Sequence, residues 1–478
     1  MRKSAQVFCW MAAWLVWITA GHAADFTRIG PQATAAELIA AHGTAAGPVL
    51  RVVYQSAAPD QATMTAEIAR DYVFVRRTEA GEPDTVALHD FALRRVIAID
   101  DAHRAFANMS MYAMADFRFA ESYNRRVLRG ILRSAGIKAL VNPYFDQQQL
   151  GIASPDDGPV EFKREPTAGG GLRFVVDGKT GAAYEPSAEN LSADEMQGVM
   201  RLLRSSFQLH PEMLAAIAAG LKLPKEIVHT EGMADKRSER HWTLVSVERT
   251  QGAYPLPAGY GVTVSGGEQL APLMPVMLDA IAGKSGGGPR SLADYRAAIS
   301  DAKAKGNVLQ HYLLDNEMYL QYRSGTMGCF NGNLLHEDCS QQQAVVDWWK
   351  ADAVTLKLMQ SLLLEKTNPE EAIAERNAIA RTGLTDAYML DLWNADTMMQ
   401  SGKGGDPLPL FALAIKGNPY VGGFYKDLGD AYRIRFYPVQ AWLCYDLARA
   451  LPGAQSSPVV DGIDRMEATI ASRNPEFF

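Results

Sequence analysis

Four side chains in the first quarter of the chain, Asp90, Asp100, Asp101 and His103, are of the types that acid–base chemistry requires. Histidine titrates near neutrality and a carboxylate beside it fixes its tautomer, so the set would suit a hydrolase. The preferred reading is plainer: Asp100 and Asp101 are turn residues between two strands, where aspartate binds its own backbone, and His103 is a half-exposed neighbour. Further on, His311 and Asp315 share a helix face at i, i+4, with Glu317 close behind. That spacing can begin a metal site, but H-E-x-x-H is absent, and a surface charge pair is its commoner meaning. His336, Glu337 and Asp338 adjoin Cys339, as a thiol nucleophile would need. Cys329 stands across the Gly/Asn-rich loop GCFNGNLLHEDC, however, and a Cys329–Cys339 disulfide is expected instead. With no G-x-S-x-G, phosphate-cradling glycine loop or C-x-x-C, no catalytic residue, metal or cofactor is assigned.

Export explains why a disulfide is expected. Arg2 and Lys3 precede an apolar run, Val7 to Thr19, and Gly21-His22-Ala23 supplies small residues at the cleavage positions. Residues 1–23 therefore read as a signal peptide cut after Ala23, and the mature chain as periplasmic or secreted. Its net charge moves from −7 to −9 on removal of the two leader cations, which gives no electrostatic reason to expect nucleic acid. No later stretch is long and apolar enough for a transmembrane helix, so any membrane contact is peripheral. Cys444, between Trp442 and Tyr445, is expected to be a buried thiol.

The 478 residues divide into two halves of different pattern. From 26 to 265 the chain reads as antiparallel sheet with one or two helices. VLRVVYQ, ATMTAEIARDYVFVRRT, TVALHDFALRRVIAID and RAFANMSMYA are strand-like and separated by turn residues, which implies successive hairpins. A helix is expected from Phe117 to Ala135, with Arg125, Arg126, Arg129 and Arg133 on its solvated face. VEFKRE, LRFVVDG and AAYEPS follow, with Asp177-Gly178 as a hairpin turn. A helical run begins at Ser192, where Glu195 completes a capping box, and ends at Gly220; HWTLVSVERTQ and GYGVTVSG close the half. Residues 266–290 read as a glycine-rich linker around GKSGGGP, though Gln269 to Ile281 could pack on either side.

From 291 to 478 the pattern is helical. Within Asn418 to Gly453, Tyr425, Leu428, Gly429 and Tyr432 share one helix face, and Ala441, Tyr445 and Ala448 share one face of the next. Alanines let the second helix sit close, and Gly429 permits near backbone approach. Asn418 is the expected N-cap, with Pro419 at the first helical position, and Pro438 opens the second helix. This spacing resembles the tetratricopeptide repeat, with Tyr425 where that pattern has Trp and Pro452 one place early. Phe411, Ala414 and Pro419 reproduce part of it one 34-residue period earlier. The resemblance covers the C-terminal part only and implies stacked helix pairs with a concave binding surface.

The fold class expected is α+β, a sheet domain followed by an all-α domain. The function ranked first is an interaction module for an envelope protein or peptide, with Tyr420, Phe424, Phe436, Tyr437 and Trp442 as candidate groove residues. Ranked second is a carrier of an apolar small molecule or lipid, because a curved sheet closed by a helix encloses a cavity and resembles periplasmic lipid-carrier half-barrels. The hydrolase set ranks third.

Overall fold

The computed structural model describes residues 29–478 except 58–60, 137–141, 159, 232–237, 265, 331–338, 381–383, 385 and 455–456. The expected leader at 1–23 and the triplet 336–338 lie outside the described residues.

The chain is α+β. Helix α1 (Ala35–His42) is started by a capping box between Thr34 and Glu37. A six-strand meander follows: β1 (Gly47–Ser56), β2 (Thr63–Ile68), β3 (Tyr72–Thr78), β4 (Thr85–Asp90), β5 (Arg95–Asp100) and β6 (Ala105–Ser110). Helices α2 (Met111–Ser134) and α3 (Tyr144–Leu150) lead to β7 (Lys163–Pro166), β8 (Leu172–Val176) and β9 (Lys179–Asn190). Then come α4 (Ala193–Ser206), α5 (Pro211–Gly220), β10 (Lys222–Glu231), β11 (Ser238–Gly252) and the two-residue β12 (Gly261–Val262). Strand β1 pairs with β11, so the two meanders join into one 12-stranded sheet, ordered β12-β6-β5-β4-β3-β2-β1-β11-β10-β9-β8-β7. Every pairing is antiparallel except the short β12 against β6.

Local chemistry accounts for these elements and for departures from expectation. Asp177 and Gly178 both take positive φ, 53° and 77°, as a tight hairpin turn demands. The run expected to be one helix from Ser192 is two, because Pro211 reopens the chain after Phe207 and His210 caps α5. Helix α2 starts at Met111, six residues before the expected position, with Ser110 as its side-chain cap. Strand β10 has no clean alternation, and Pro224 sits at a register shift against β9, which is where proline is tolerated in a sheet.

The second half consists of α6 (Gly267–Leu270), α7 (Met274–Ile281), α8 (Leu292–Ala304), α9 (Val308–Tyr322), α10 (Gly325–Phe330), α11 (Gln342–Ala351), α12 (Ala353–Leu364), α13 (Pro369–Ala380), α14 (Tyr388–Ser401), α15 (Leu408–Gly417), α16 (Gly422–Ile434), α17 (Pro438–Ala450) and α18 (Pro458–Arg473). Part of the expected linker is therefore helix. Met274, Met277 and Ala280 are buried, and α7 packs on α15 and α17; the glycine-rich 283–289 remains without helix. Asn418 caps the end of α15 rather than the start of α16. Its side chain instead accepts from Tyr420 N and donates to Glu317. Pro438 opens α17 as expected.

The hairpin α16–α17 packs through the residues whose spacing marked it: Tyr425, Leu428, Tyr432, Ala441, Tyr445 and Ala448 are all buried. A Cβ on Gly429 would stand 2.4 Å from Tyr445 Cε1, so only glycine lets that ring lie against α16. One apolar core runs unbroken from sheet residues such as Val52 and Ile227 into helical residues such as Tyr425 and Trp442. A smaller core holds α1 against Val86, Leu88, Ile97 and Phe106 on the opposite face of β4 to β6. A disulfide joins Cys329 and Cys339, whose Cα atoms are 5.8 Å apart, and Cys444 is free and buried.

Candidate functional site

The acid–base set is not assembled. Asp90 ends β4 opposite Arg95 at the start of β5, whereas His103 follows Asp100 at the far end of β5. Six strand residues put about 17 Å between those ends. His103 is exposed and bonded to Asp100 at 2.7 Å, and Asp101 pairs with Arg76 and Tyr260, which is the turn chemistry preferred for them. Asp90 instead accepts from His42 Nδ1 at 2.8 Å, Tyr254 OH at 2.7 Å and Leu93 N at 2.8 Å. His42 lies on α1, which the sequence reading did not find. With every donor matched, this cluster fastens α1 to the sheet.

The α9 set is also structural. His311 and Asp315 are buried, not a surface pair: His311 Nδ1 accepts from Trp349 Nε1 at 3.1 Å, and Asp315 accepts from the backbone of Thr326 and Met327 at the start of α10. Glu317 is fully buried and is held by Tyr295 OH and Tyr388 OH, each at 2.6 Å, by Asn418, and by Arg290 at 3.6 Å. Among the described residues no group of three or more His, Cys, Asp or Glu is placed to hold a metal ion.

Of the expected groove residues, Tyr420, Phe424 and Trp442 are interior, at 3 %, 0 % and 0 % exposure. Trp442 stacks on Tyr112 and donates to Asp116 of α2, so it binds the two halves together rather than lining a groove. Phe436 and Tyr437 do reach the surface, beside the exposed Ile434, at the α16–α17 turn.

A cavity of about 230 Å³ opens where the two halves meet. Its sheet wall is His89, Val96 and Met109, from alternate positions of β4, β5 and β6 that face away from α1. Met111, Ala113, Met114, Ala115 and Arg118 of α2 form the second wall; Arg201, Arg204 and Ser205 of α4 form the third. Val439 of α17 and the tail residues Glu476 and Phe477 close it. A second cavity, about 440 Å³, lies beyond the tail and shares Arg201, Arg204 and Glu476.

The lining is apolar apart from a cationic cluster. Arg118 and Arg204 flank the Phe477 ring, 5.0 and 5.2 Å from its centre, and Arg201 lies 4.0 Å over Phe91. Arg201 donates to the Arg70 carbonyl and to a terminal oxygen of Phe478. Arg204 donates to Gly151 O at 3.3 Å and stands 3.8 Å from Glu476, but its buried Nε makes no hydrogen bond. Arg118 makes no hydrogen bond or ion pair with any described residue. Burial, then the charge of Arg204, pulls its ionisation down to about 10, so it stays protonated at neutral pH. Burial, then the charge of Arg118, pulls His89 down to about 4, so that ring is neutral. Three guanidinium groups thus share the lining with one carboxylate side chain, Glu476. No stretch of the sequence marks this set, because its members come from β4, α2, α4 and the tail.

No family model, curated protein or solved structure matches the chain.

Proposed function

We propose that the cavity at the sheet–helix junction binds an amphipathic anion, an apolar chain ending in a carboxylate or phosphate. The observation that carries this reading is Arg118, a charged guanidinium with no hydrogen bond or ion pair to any described residue, held only against the Phe477 ring at the edge of an apolar cavity and beside a second guanidinium. A charge taken partly out of water favours a counter-charge, and Glu476, the carboxylate side chain in the lining, stands near Arg204 and leaves Arg118 without one. The apolar part of the ligand lies against Phe91, Met109, Met111 and Val439; the anion takes Arg118 and the free Nε of Arg204, with neutral His89 as a further hydrogen-bond partner. The role is binding, and no reaction follows from these groups. The Cys329–Cys339 disulfide accords with an exported protein.

Mass spectrometry of organic extracts of the purified protein, and titration with a fluorescent fatty acid, test the reading. A copurifying acidic lipid and saturable binding are expected. Replacing Arg118 by Leu removes a charge-assisted hydrogen bond and lowers affinity about 10- to 100-fold. Binding that is absent, or indifferent to Arg118, refutes it.

The interaction-module reading keeps one specific support, the exposed apolar cluster Ile434, Phe436 and Tyr437. If it is correct, Phe436→Ser with Tyr437→Ser abolishes capture of a partner from envelope extracts by the full chain.

A further inference from the structure

Helix α2 turns its charges toward the protein and its apolar side chains toward solvent. Arg125 is bound to Glu121, Asp146 and Gln149, Arg129 to Asp146 and Asp157, and Arg126 to Asp156. The arginines expected on a solvated face are therefore largely tied to α3 and the turn after it. Phe119, Tyr123, Val127 and Ile131 recur every four residues and so lie along one side of the helix; they are 36 %, 56 %, 46 % and 61 % exposed. A continuous exposed apolar stripe of this kind marks a docking surface.

Its surroundings select the partner. Arg473 of α18 stacks 5.0 Å from the Phe119 ring, and Arg126 lies 5.2 Å over Tyr123. Exposed Arg465 and Arg473 share a groove of about 320 Å³ with Phe119. The nearby carboxylates are spent on ion pairs: Asp116 with Arg433, Glu121 with Arg125, Asp156 with Arg126. An acidic protein thus presents, here, an apolar ridge with cationic flanks, which complements anionic headgroups over acyl chains. Met114, one turn before Arg118 on another side of α2, is half exposed and lines the cavity wall.

We propose that α2 is the face by which the protein lies on an anionic lipid surface, with Phe119, Tyr123, Val127 and Ile131 at the headgroup–acyl boundary. The docking does not rest on the amphipathic-anion reading. Flotation of the full chain with phosphatidylcholine vesicles, with and without phosphatidylglycerol, tests it. The wild type floats with the anionic vesicles, less so at high salt, and Val127→Asp with Ile131→Asp stays at the bottom while keeping its circular dichroism and unfolding midpoint. Arg465→Ala with Arg473→Ala partitions about thirtyfold more weakly, at about 1 kcal/mol per removed cation. A wild type that ignores anionic vesicles overturns the proposal, as does a folded aspartate variant that floats normally. So does a concentration-dependent dimer in buffer that the aspartates abolish, because the stripe would then belong to a second copy. Vesicle binding without fatty-acid binding in solution would refute the cavity reading and leave the docking face standing.

Discussion

Arg95 Nη1 of β5 lies 2.7 Å from Asp446 Oδ2 of α17, although the two residues are 351 positions apart. Both side chains are buried, and Asn108 completes the guanidinium by accepting from Nε at 2.7 Å and through its carbonyl at 3.1 Å. Asp116 of α2 makes the companion tie, accepting from Arg433 twice, at 2.6 and 2.7 Å, and from Trp442 at 3.2 Å. The cavity sits between these two locks, so its walls keep their spacing only while sheet and helices stay together.

Breaking the first lock should be costly. Asp446→Ala or Arg95→Met leaves a buried charge uncompensated and is expected to destabilise by about 3–5 kcal/mol, whereas Arg95→Met combined with Asp446→Leu recovers most of the loss. Urea unfolding measures all three. Because the core is continuous across the halves, a single transition is expected in the wild type, and two separated transitions would contradict that continuity.

Gly429→Ala is expected to cost about 1–3 kcal/mol, since the added carbon meets both the Tyr445 ring and, at 3.0 Å, the Ala441 carbonyl. Thermal unfolding reads the loss. A neutral result would mean that the α16–α17 hairpin relaxes without penalty.

The histidines contribute to the acid limb of stability. His89, His210, His229 and His311 are each pushed from 6.5 down to about 4, in every case by burial first. They are neutral when folded, so the unfolded chain takes up protons that the native chain refuses. Their contribution is complete above pH 6.5 and is lost as pH falls through about 4. His42 runs the opposite way: burial opposes its charge, but the hydrogen bond and charge of Asp90, with the charge of Asp71, prevail and raise it. Its contribution is full below 6.5 and lost as pH rises through the raised value. Burial raises Asp396, Asp427, Glu317 and Glu467, whose contributions run the opposite way over the same range, so the histidines are read by difference. The urea midpoint of the wild type minus that of a His89→Gln variant should fall from neutrality toward pH 4, and the corresponding difference for His42→Gln should fall on the alkaline side. A His89 difference constant between neutrality and pH 4 would exclude a buried neutral imidazole there.

Reduction of Cys329–Cys339, or Cys329→Ser with Cys339→Ser, reopens a loop of 10 residues and is expected to cost at most about 2.7 kcal/mol by chain entropy. Cys444, whose thiol burial holds well above its ordinary ionisation range, should stay unlabelled in native protein and react only on unfolding. In protein prepared without residues 1–23, and so without Cys9, two equivalents of label taken up by native reduced protein, and three after denaturation, is the expected count.

Arg118→Leu separates ligand binding from folding. Without ligand, the substitution relieves the repulsion of Arg204 and leaves the unfolding midpoint unchanged or higher, even as affinity falls. A large drop in stability would show that Arg118 is a structural cation.

What the sequence determined by itself is what depends on near neighbours. Strand alternation, the Ser192–Glu195 box, the Asp177-Gly178 turn, the close approach at Gly429 and the buried Cys444 follow from a few consecutive residues. The disulfide was legible because two cysteines across a short loop, in a chain expected to be exported, have little other use. Strand β10 was missed because a proline and flanking charges hide a strand whose pairing tolerates a bulge. The faces of α2 and the burial of Trp442 were misjudged for a common reason. Which side of an amphipathic helix meets water depends on what it docks against, and α2's partners, Asp146, Asp157, Arg433 and Trp442, lie from 17 to 326 residues away. The cavity belongs wholly to the tertiary structure. His89, Arg118 and Arg204 are unremarkable in their own segments, and only the closing of the sheet against α2, α4 and the tail brings the neutral imidazole and the two guanidinium groups together.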